Sequence, residues 1–184
     1  VSLSHEAAKE WREYERTSSA VIESYTGPVV RQYLSRLEEE LRQGGLAVPL
    51  HVMQSSGGVL TARSARRRPL QTLLSGPVGG AMGSHELARV TERPNLIGVD
   101  MGGTSFDVSL IVDGEPDVAA EARLEGLPML MSVVNIHTVG AGGGSVAYAE
   151  AGGLRVGPRS AGASPGPACY GRGGTEPTVT DANL

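Results

Sequence analysis

The sequence predicts an α/β protein, and three observations carry that prediction. Residues 97–111, Ile-Gly-Val-Asp-Met-Gly-Gly-Thr-Ser-Phe-Asp-Val-Ser-Leu-Ile, read as an apolar strand, a glycine turn flanked by two carboxylates, and a second apolar strand. Val30, Leu34, Leu37 and Leu41 recur at helical spacing, with Glu38, Glu39 and Arg42 on the other face. Residues 50–53 read as a buried strand that delivers the small-residue turn 54–58, and in open α/β sheets ligands collect at such strand ends.

The elements follow in order. Ser4 is placed to cap a helix running through Trp11 and Tyr14, with Glu6 and Glu10 near its positive end. Pro28 suits the first turn of the next helix, and Gly44-Gly45 suits its stop. Thr61 is placed to cap a short helix that ends before Pro69, and residues 70–74 read as a strand. A further helix is expected from Gly76 or Pro77 to about Arg89. Gly76, Gly79, Gly80 and Gly83 fall close to one of its faces. Each internal glycine costs about 1 kcal/mol of helix propensity relative to Ala, so a close helix–helix approach is expected to compensate. Asp113-Gly114 signals a hairpin between 108–112 and 116–122, and a third strand is expected over 133–139, leading into the loop 140–145. Residues 157–177 show no periodicity, and such a long loop inside a domain is usually functional.

Composition narrows the function classes. At 184 residues the chain can bury one sizeable core or two small ones. A net charge of −4 and a pI near 5.6 argue against a nucleic-acid surface. The run Arg63, Arg66, Arg67, Arg68 reads as the solvated face of a short helix. No apolar run is long enough to suggest a membrane span. The single cysteine excludes an intrachain disulfide and suits a reducing, cytoplasmic compartment. The 26 glycines cluster in the turns, which suggests ligand-facing loops rather than disorder.

The chemistry concentrates in the glycine turn. Gly102 and Gly103 are free to take positive φ and to bring backbone N–H groups close to an anion, and Thr104 and Ser105 add hydroxyls. Asp100, at the strand end, suits a hydrated Mg²⁺, which favours one or two carboxylates plus waters and phosphate oxygens. Asp107 is placed to hold a water or a second metal-bound water. No GxxxxGK[ST] occurs, so this is not a Walker loop. Gly142, Gly143, Gly144 and Ser145 form a second anion-compatible turn. His137, in an apolar strand, reads as a structural hydrogen bonder before it reads as a catalyst. Cys169 invites a nucleophile reading, but no His or Asn stands in a recognisable relation to it, and a free Cys is commonly a small hydrophobe. Asp181 suits either a nucleotide or metal contact or the first turn of a helix.

Asp-x-Gly-Gly-Thr-x-x-Asp between two strands resembles the phosphate loops of the actin, sugar-kinase and heat-shock chaperone ATPase superfamily. The blocks Leu-Ser-Gly-Pro-Val-Gly-Gly (74–80), Thr-Val-Gly-Ala-Gly-Gly-Gly-Ser (138–145), Gly-Pro-Arg-Ser-Ala-Gly-Ala (157–163), Pro-Gly-Pro-Ala-Cys-Tyr-Gly-Arg-Gly-Gly (165–174) and Pro-Thr-Val-Thr-Asp-Ala-Asn-Leu (177–184) surround it. In this order they resemble the hydantoinase A/5-oxoprolinase family, from Ser4-His5-Glu6 to Leu184. The resemblance implies an actin-like ATPase (ribonuclease H-like) fold and an internal piece of a longer protein. Residues 1–75 would then end a first domain, 76–94 form a crossing hinge helix, and 95–184 begin a second domain. The glycines of 142–144 would face the phosphates. The implied activity is ATP- and Mg²⁺-dependent hydrolysis of a cyclic amide, a hydantoin or 5-oxoproline, through phosphorylation of its carbonyl, with a B-type hydantoinase subunit or domain as partner. Two alternatives remain: the ATP-using subunit of an acetone- or acetophenone-type carboxylase, and a non-catalytic nucleotide-binding switch. Phe106, Val78, Arg159 and Ser164 depart from the family pattern, and the last two leave the substrate open. With one phosphate loop of the expected two, the isolated chain is expected to bind ATP weakly and not to turn it over.

Overall fold

The computed structural model describes residues 1–184. Along the chain lie α1 (Ser4–Ala7), α2 (Glu13–Gln43), β1 (His51–Met53), β2 (Val59–Thr61), α3 (Ala62–Arg67), a 3₁₀ turn (Pro69–Thr72), α4 (Ser75–Val90), β3 (Leu96–Met101) and β4 (Phe106–Val112). Then follow β5 (Glu115–Pro116), β6 (Val118–Ala119), β7 (Ala122–Leu124), β8 (Leu127–Met129), β9 (Val133–Val134), β10 (Ile136–Val139), β11 (Ser145–Glu150), β12 (Gly153–Ser160), a second 3₁₀ turn (Ala168–Tyr170) and α5 (Val179–Ala182). Helices and sheets mix as the α/β expectation requires. The chain forms two compact units, one of Val1–Leu96 with Ile111–Asn135, the other of Ile97–Leu110 with Ile136–Leu184.

The first unit is organised by α2, which corrects two expectations. No helix runs from Ser4 through Tyr14: α1 stops at Ala7, Ser4 caps nothing, and Trp11 is exposed in the break. Pro28 does not start a helix but lies inside α2. An interior proline costs about 3 kcal/mol. The helix persists because Ser19, Ile22, Gly27 and Leu34 are all buried on it, so tertiary packing outweighs the local break. Its end matches expectation. Gly45 takes φ +95°, and the Leu46 N–H reaches back to the Leu41 carbonyl at 2.9 Å, satisfying an orphan acceptor of the last turn.

β1 and β2 pair antiparallel, so the turn 54–58 closes a hairpin and does not end a strand of an open sheet. Thr61 caps α3 as expected, its hydroxyl accepting the Ser64 N–H at 3.3 Å. Residues 70–74 do not form a strand. Pro69 opens a 3₁₀ turn that buries Leu70 against Ile22 and Met129, with Leu73, Leu124 and Met131 packed around them. Ser55 locks this core: its N–H donates to the Gln71 carbonyl at 2.9 Å and its own carbonyl accepts the Val134 N–H at 2.8 Å.

α4 matches its predicted span and buries Val78, Ala81 and Ala88. The close approach expected at its glycines is not made by this chain, because a Cβ on Gly76, Gly79 or Gly83 would meet nothing within 4 Å. At the predicted hairpin Asp113 (φ 52°) and Gly114 (φ 87°) both take left-handed backbone, as the two-residue turn requires. Its second arm is only the two residues of β5, shorter than expected. The strand expected over 133–139 is divided at Asn135, with β9 pairing β6 and β10 pairing β4.

In the second unit β10, β4 and β3 are neighbours in that order, with β10 antiparallel to β4. β11 and β12 form an antiparallel hairpin, so the stretch expected to be irregular from 157 is a strand as far as Ser160. α5 follows a reciprocal cap between Thr178 and Asp181.

Candidate functional site

The loop between β3 and β4 is built by its strands. Side chains alternate along β3, so Ile97, Val99 and Met101 share one face and Asp100 lies on the other. Asp100 is exposed at the strand end. Asp107, the second residue of β4, stands opposite Thr138 of β10 in the ladder, and the Thr138 hydroxyl donates to its carboxylate at 2.6 Å. That bond fixes the orientation of Asp107 and leaves lone pairs free. Across the turn, the Gly102 N–H donates to the Ser105 carbonyl at 3.0 Å. The N–H groups of Gly103, Thr104 and Ser105 find no acceptor within the chain. Neither Gly102 nor Gly103 uses the positive φ that the sequence suggested. A Cβ on Gly103 would enter open space. Nothing in the chain therefore demands glycine at 103, while the space its missing side chain leaves is free for a ligand.

The turn 142–145 holds this loop from behind. The Gly143 N–H donates to the Gly102 carbonyl at 2.9 Å, and the Gly144 N–H to the Gly103 carbonyl at 2.7 Å. The Gly142 N–H donates to the buried Ser145 hydroxyl at 2.9 Å, and the Ser145 N–H returns to the Gly142 carbonyl at 3.0 Å. All four amides are thus spent inside the unit. Contact is intimate: a Cβ on Gly142 would lie 2.6 Å from the Thr104 nitrogen, and one on Gly144 would lie 2.9 Å from the Gly103 oxygen. α5 braces the turn in its own right, since both the Thr180 N–H and hydroxyl donate to the Gly143 carbonyl at 2.8 Å.

The remaining candidates are His137, Cys169 and Asp181. His137 is exposed on β10 opposite Val108. Cys169 is exposed, but its thiol is pushed up, chiefly by its hydrogen bond to Asp181, which disfavours the thiolate a nucleophile needs. Asp181 accepts the Cys169 N–H at 2.7 Å, the Thr178 N–H at 2.8 Å and the Thr178 hydroxyl at 2.8 Å. These bonds, the Cys169 N–H first, hold its carboxyl well below the usual range. Arg159, a departure from the family pattern, pairs with Glu176 at 2.6 Å. The bracing roles of Thr138 and Thr180 were not read from the sequence. Both are spacing-free signals, since the partners lie 31 and 37 residues away.

A pH dependence follows for this unit. A carboxyl depressed in the folded state stabilises above its unfolded pKa, near 4, and that contribution is lost as pH falls through the folded value. Asp181→Asn should lower thermal stability at neutral pH and flatten the melting temperature between about pH 4 and pH 2. A melting curve for the variant parallel to the parent across that range would contradict the anchoring role.

Two carboxylates with hydroxyls and free amides suit a metal carried in with phosphates. No three His, Cys, Asp or Glu side chains gather into a protein-only metal cage, and a Mg²⁺ that keeps waters and phosphate oxygens asks for none.

Comparison with known proteins bears on this site. The family described as hydantoinase/oxoprolinase matches residues 16–184. The chain belongs to that family. It is 40% identical over 185 residues to the caprolactamase subunit alpha of Pseudomonas jessenii, covering 100% of this chain and 27% of that one. It is 40% identical over 187 residues to the 5-oxoprolinase of Saccharomyces cerevisiae, covering 100% of this chain and 14% of that one. The nucleotide-free structure of an acetone carboxylase, from a study of ATP-dependent acetone carboxylation, superposes with a TM-score of 0.81 at 30% identity, over 98% of this chain and 25% of that one. The chain therefore spans about a quarter or less of these relatives. The likeness supports the expected actin-like ATPase-type fold. No helix is long and apolar enough to cross a membrane.

Proposed function

We propose that this member of the hydantoinase/oxoprolinase family serves ATP-dependent hydrolysis of a cyclic amide, and that the loop 100–107 holds the nucleotide phosphates. The observation that carries the reading is the turn itself, with three N–H groups that find no acceptor and an open space over Gly103, set on a rigid platform. In this reading Gly103, Thr104 and Ser105 donate to phosphate oxygens, with Gly102 keeping the turn tight. Asp100 and Asp107 hold Mg²⁺ and its waters. Gly142, Gly143, Gly144 and Ser145 act by fixing the loop. Bound Mg²⁺-ATP supplies the phosphoryl group and part of the charge neutralisation. The protein's share is positioning: preorganised donors need not reorganise as charge develops. A cyclic amide is a poor electrophile; transfer of the γ-phosphoryl group to its carbonyl oxygen releases ADP and gives an activated imidate. Water adds to the imidate carbon, the C–N bond breaks to an amine and an acyl phosphate, and a second water releases the acid and phosphate. α4 serves as the crossing helix between domains of the whole protein, its bare glycine face left for movement. A separate B-type subunit or fused domain completes the hydrolysis, and the protein works in the cytoplasm.

The likeness to acetone carboxylase favours a second reading, in which the same loop serves activation of a ketone. ATP turnover by the full-length protein separates them. A rate stimulated by hydantoin, 5-oxoproline or caprolactam is expected. Stimulation only by acetone with bicarbonate would replace the first reading with the second, and no stimulation by either would leave a nucleotide-binding switch.

A further inference from the structure

A second place in the molecule is built to hold something. The first unit contains a cavity of about 500 Å³, lined by Glu23 of α2, Gln54 after β1, Arg68 and Gln71 around the 3₁₀ turn, and Leu130 and Met131 after β8. That size falls within the range of small-molecule sites, about 300–1,000 Å³. Glu23 is the unusual member. It is only 9% exposed, yet it lines the cavity, accepts no hydrogen bond and forms no ion pair. Its carboxyl opens on the cavity and finds no partner in the chain, and burial pushes it up. Arg31 and Arg68 act on it through space and do not relieve it by contact.

The other groups limit what fits. Gln54 spends one N–H on the Gln71 carbonyl oxygen at 3.2 Å, which leaves the Gln71 amide nitrogen as a free donor. Arg68 supplies further donors. Leu70, Leu130 and Met131 offer apolar surface. A free anion would meet Glu6, Glu10 and Glu23, and a free cation would meet Lys9 and Arg68. A neutral solute with both an N–H and a carbonyl meets neither objection.

We propose that this cavity of the first unit binds a compact lactam, its N–H on Glu23, its carbonyl on Gln71 and Arg68, and its methylenes on Leu130 and Met131. The choice of ligand class rests on the cyclic-amide reading of the function, whereas the cavity does not depend on the phosphate loop.

The test uses the full-length protein with caprolactam and hydantoin as probes. Direct titration without ATP measures binding, and lactam-stimulated ATP turnover gives KM for each substrate. Glu23→Met removes both acceptor oxygens and the desolvated charge with a side chain of similar length, so the fold should survive. Ala120→Trp, at the exposed rim, closes the mouth without touching Glu23. Both variants should weaken lactam binding and raise lactam KM at least tenfold, with KM for ATP within twofold of the parent. Unchanged lactam binding in both folded variants overturns the site, even if lactam-stimulated turnover stands. Absence of lactam binding to the parent overturns it as well. Lactam binding that both variants abolish, in a protein whose ATP turnover no lactam stimulates, supports the site and rejects the functional reading.

Discussion

Asp100→Asn in the full-length protein should reduce Mg²⁺-dependent ATP turnover by at least about 100-fold, on the order of 2.7 kcal/mol of barrier, while the melting temperature stays with the parent. The argument is geometric. Asp100 lies one residue before the end of β3 on the face away from Ile97, Val99 and Met101, it is exposed, and it accepts no hydrogen bond from the chain. The substitution therefore breaks no internal contact. It removes one negative charge where a divalent cation needs it, and a neutral amide oxygen is a much weaker Mg²⁺ ligand. Asp107→Asn should be milder, because the retained oxygen can still accept from Thr138. Parent-like turnover in Asp100→Asn would remove Asp100 from the metal and with it the reading of the loop. Raising Mg²⁺ should recover part of the lost rate if the defect is in binding the cation.

The expectations that held are those whose cause is local. Thr61 caps α3 through a donor three residues away, Gly45 needs positive φ to end α2, and Asp113-Gly114 turns the chain within four residues. The strand–turn–strand at 97–111 was legible because glycines and carboxylates interrupt two apolar runs. The failures share a different cause. Pro28 marks a break that burial of Ile22, Gly27 and Leu34 overrides. Residues 70–74 carry strand-like apolar character, but Pro69 and the pull of the Ile22–Met129 core turn them into a 3₁₀ segment. Residues 133–139 look like one strand, yet their two halves pair with β6 and β4, partners that no periodicity names.

The glycines divide along the same line. Composition marked them as ligand-facing, and the structure sorts them by what their missing side chains make room for. At α4 the space is open. At 142 and 144 it is filled by backbone atoms of residues 103–105, so these residues are glycine for packing. At 103 it is open, and the N–H groups of residues 103–105 find no acceptor in the chain. A sequence shows three similar Gly-rich runs, and only contacts at long sequence separation tell them apart.

That division is testable by alanine at two positions. Gly142→Ala should destabilise the protein by about 1–3 kcal/mol through overpacking. Its new methyl would sit 2.6 Å from the nitrogens of Thr104 and Ser105 and from the Thr104 carbonyl carbon, all of them backbone atoms that cannot rotate away. The loop must shift, so ATP turnover should fall together with the melting temperature. Gly103→Ala should behave in the opposite way. Its φ lies outside the left-handed region and its Cβ meets no protein atom, so the melting temperature should hold. The methyl would instead occupy the space assigned to the phosphates, and KM for ATP should rise at least about tenfold, or 1.4 kcal/mol. Thermal melts and ATP kinetics on the full-length variants read both effects. A parent-like melt for Gly142→Ala would end the platform reading. A parent-like KM for ATP in Gly103→Ala would mean that the space above the loop is not where the phosphates lie.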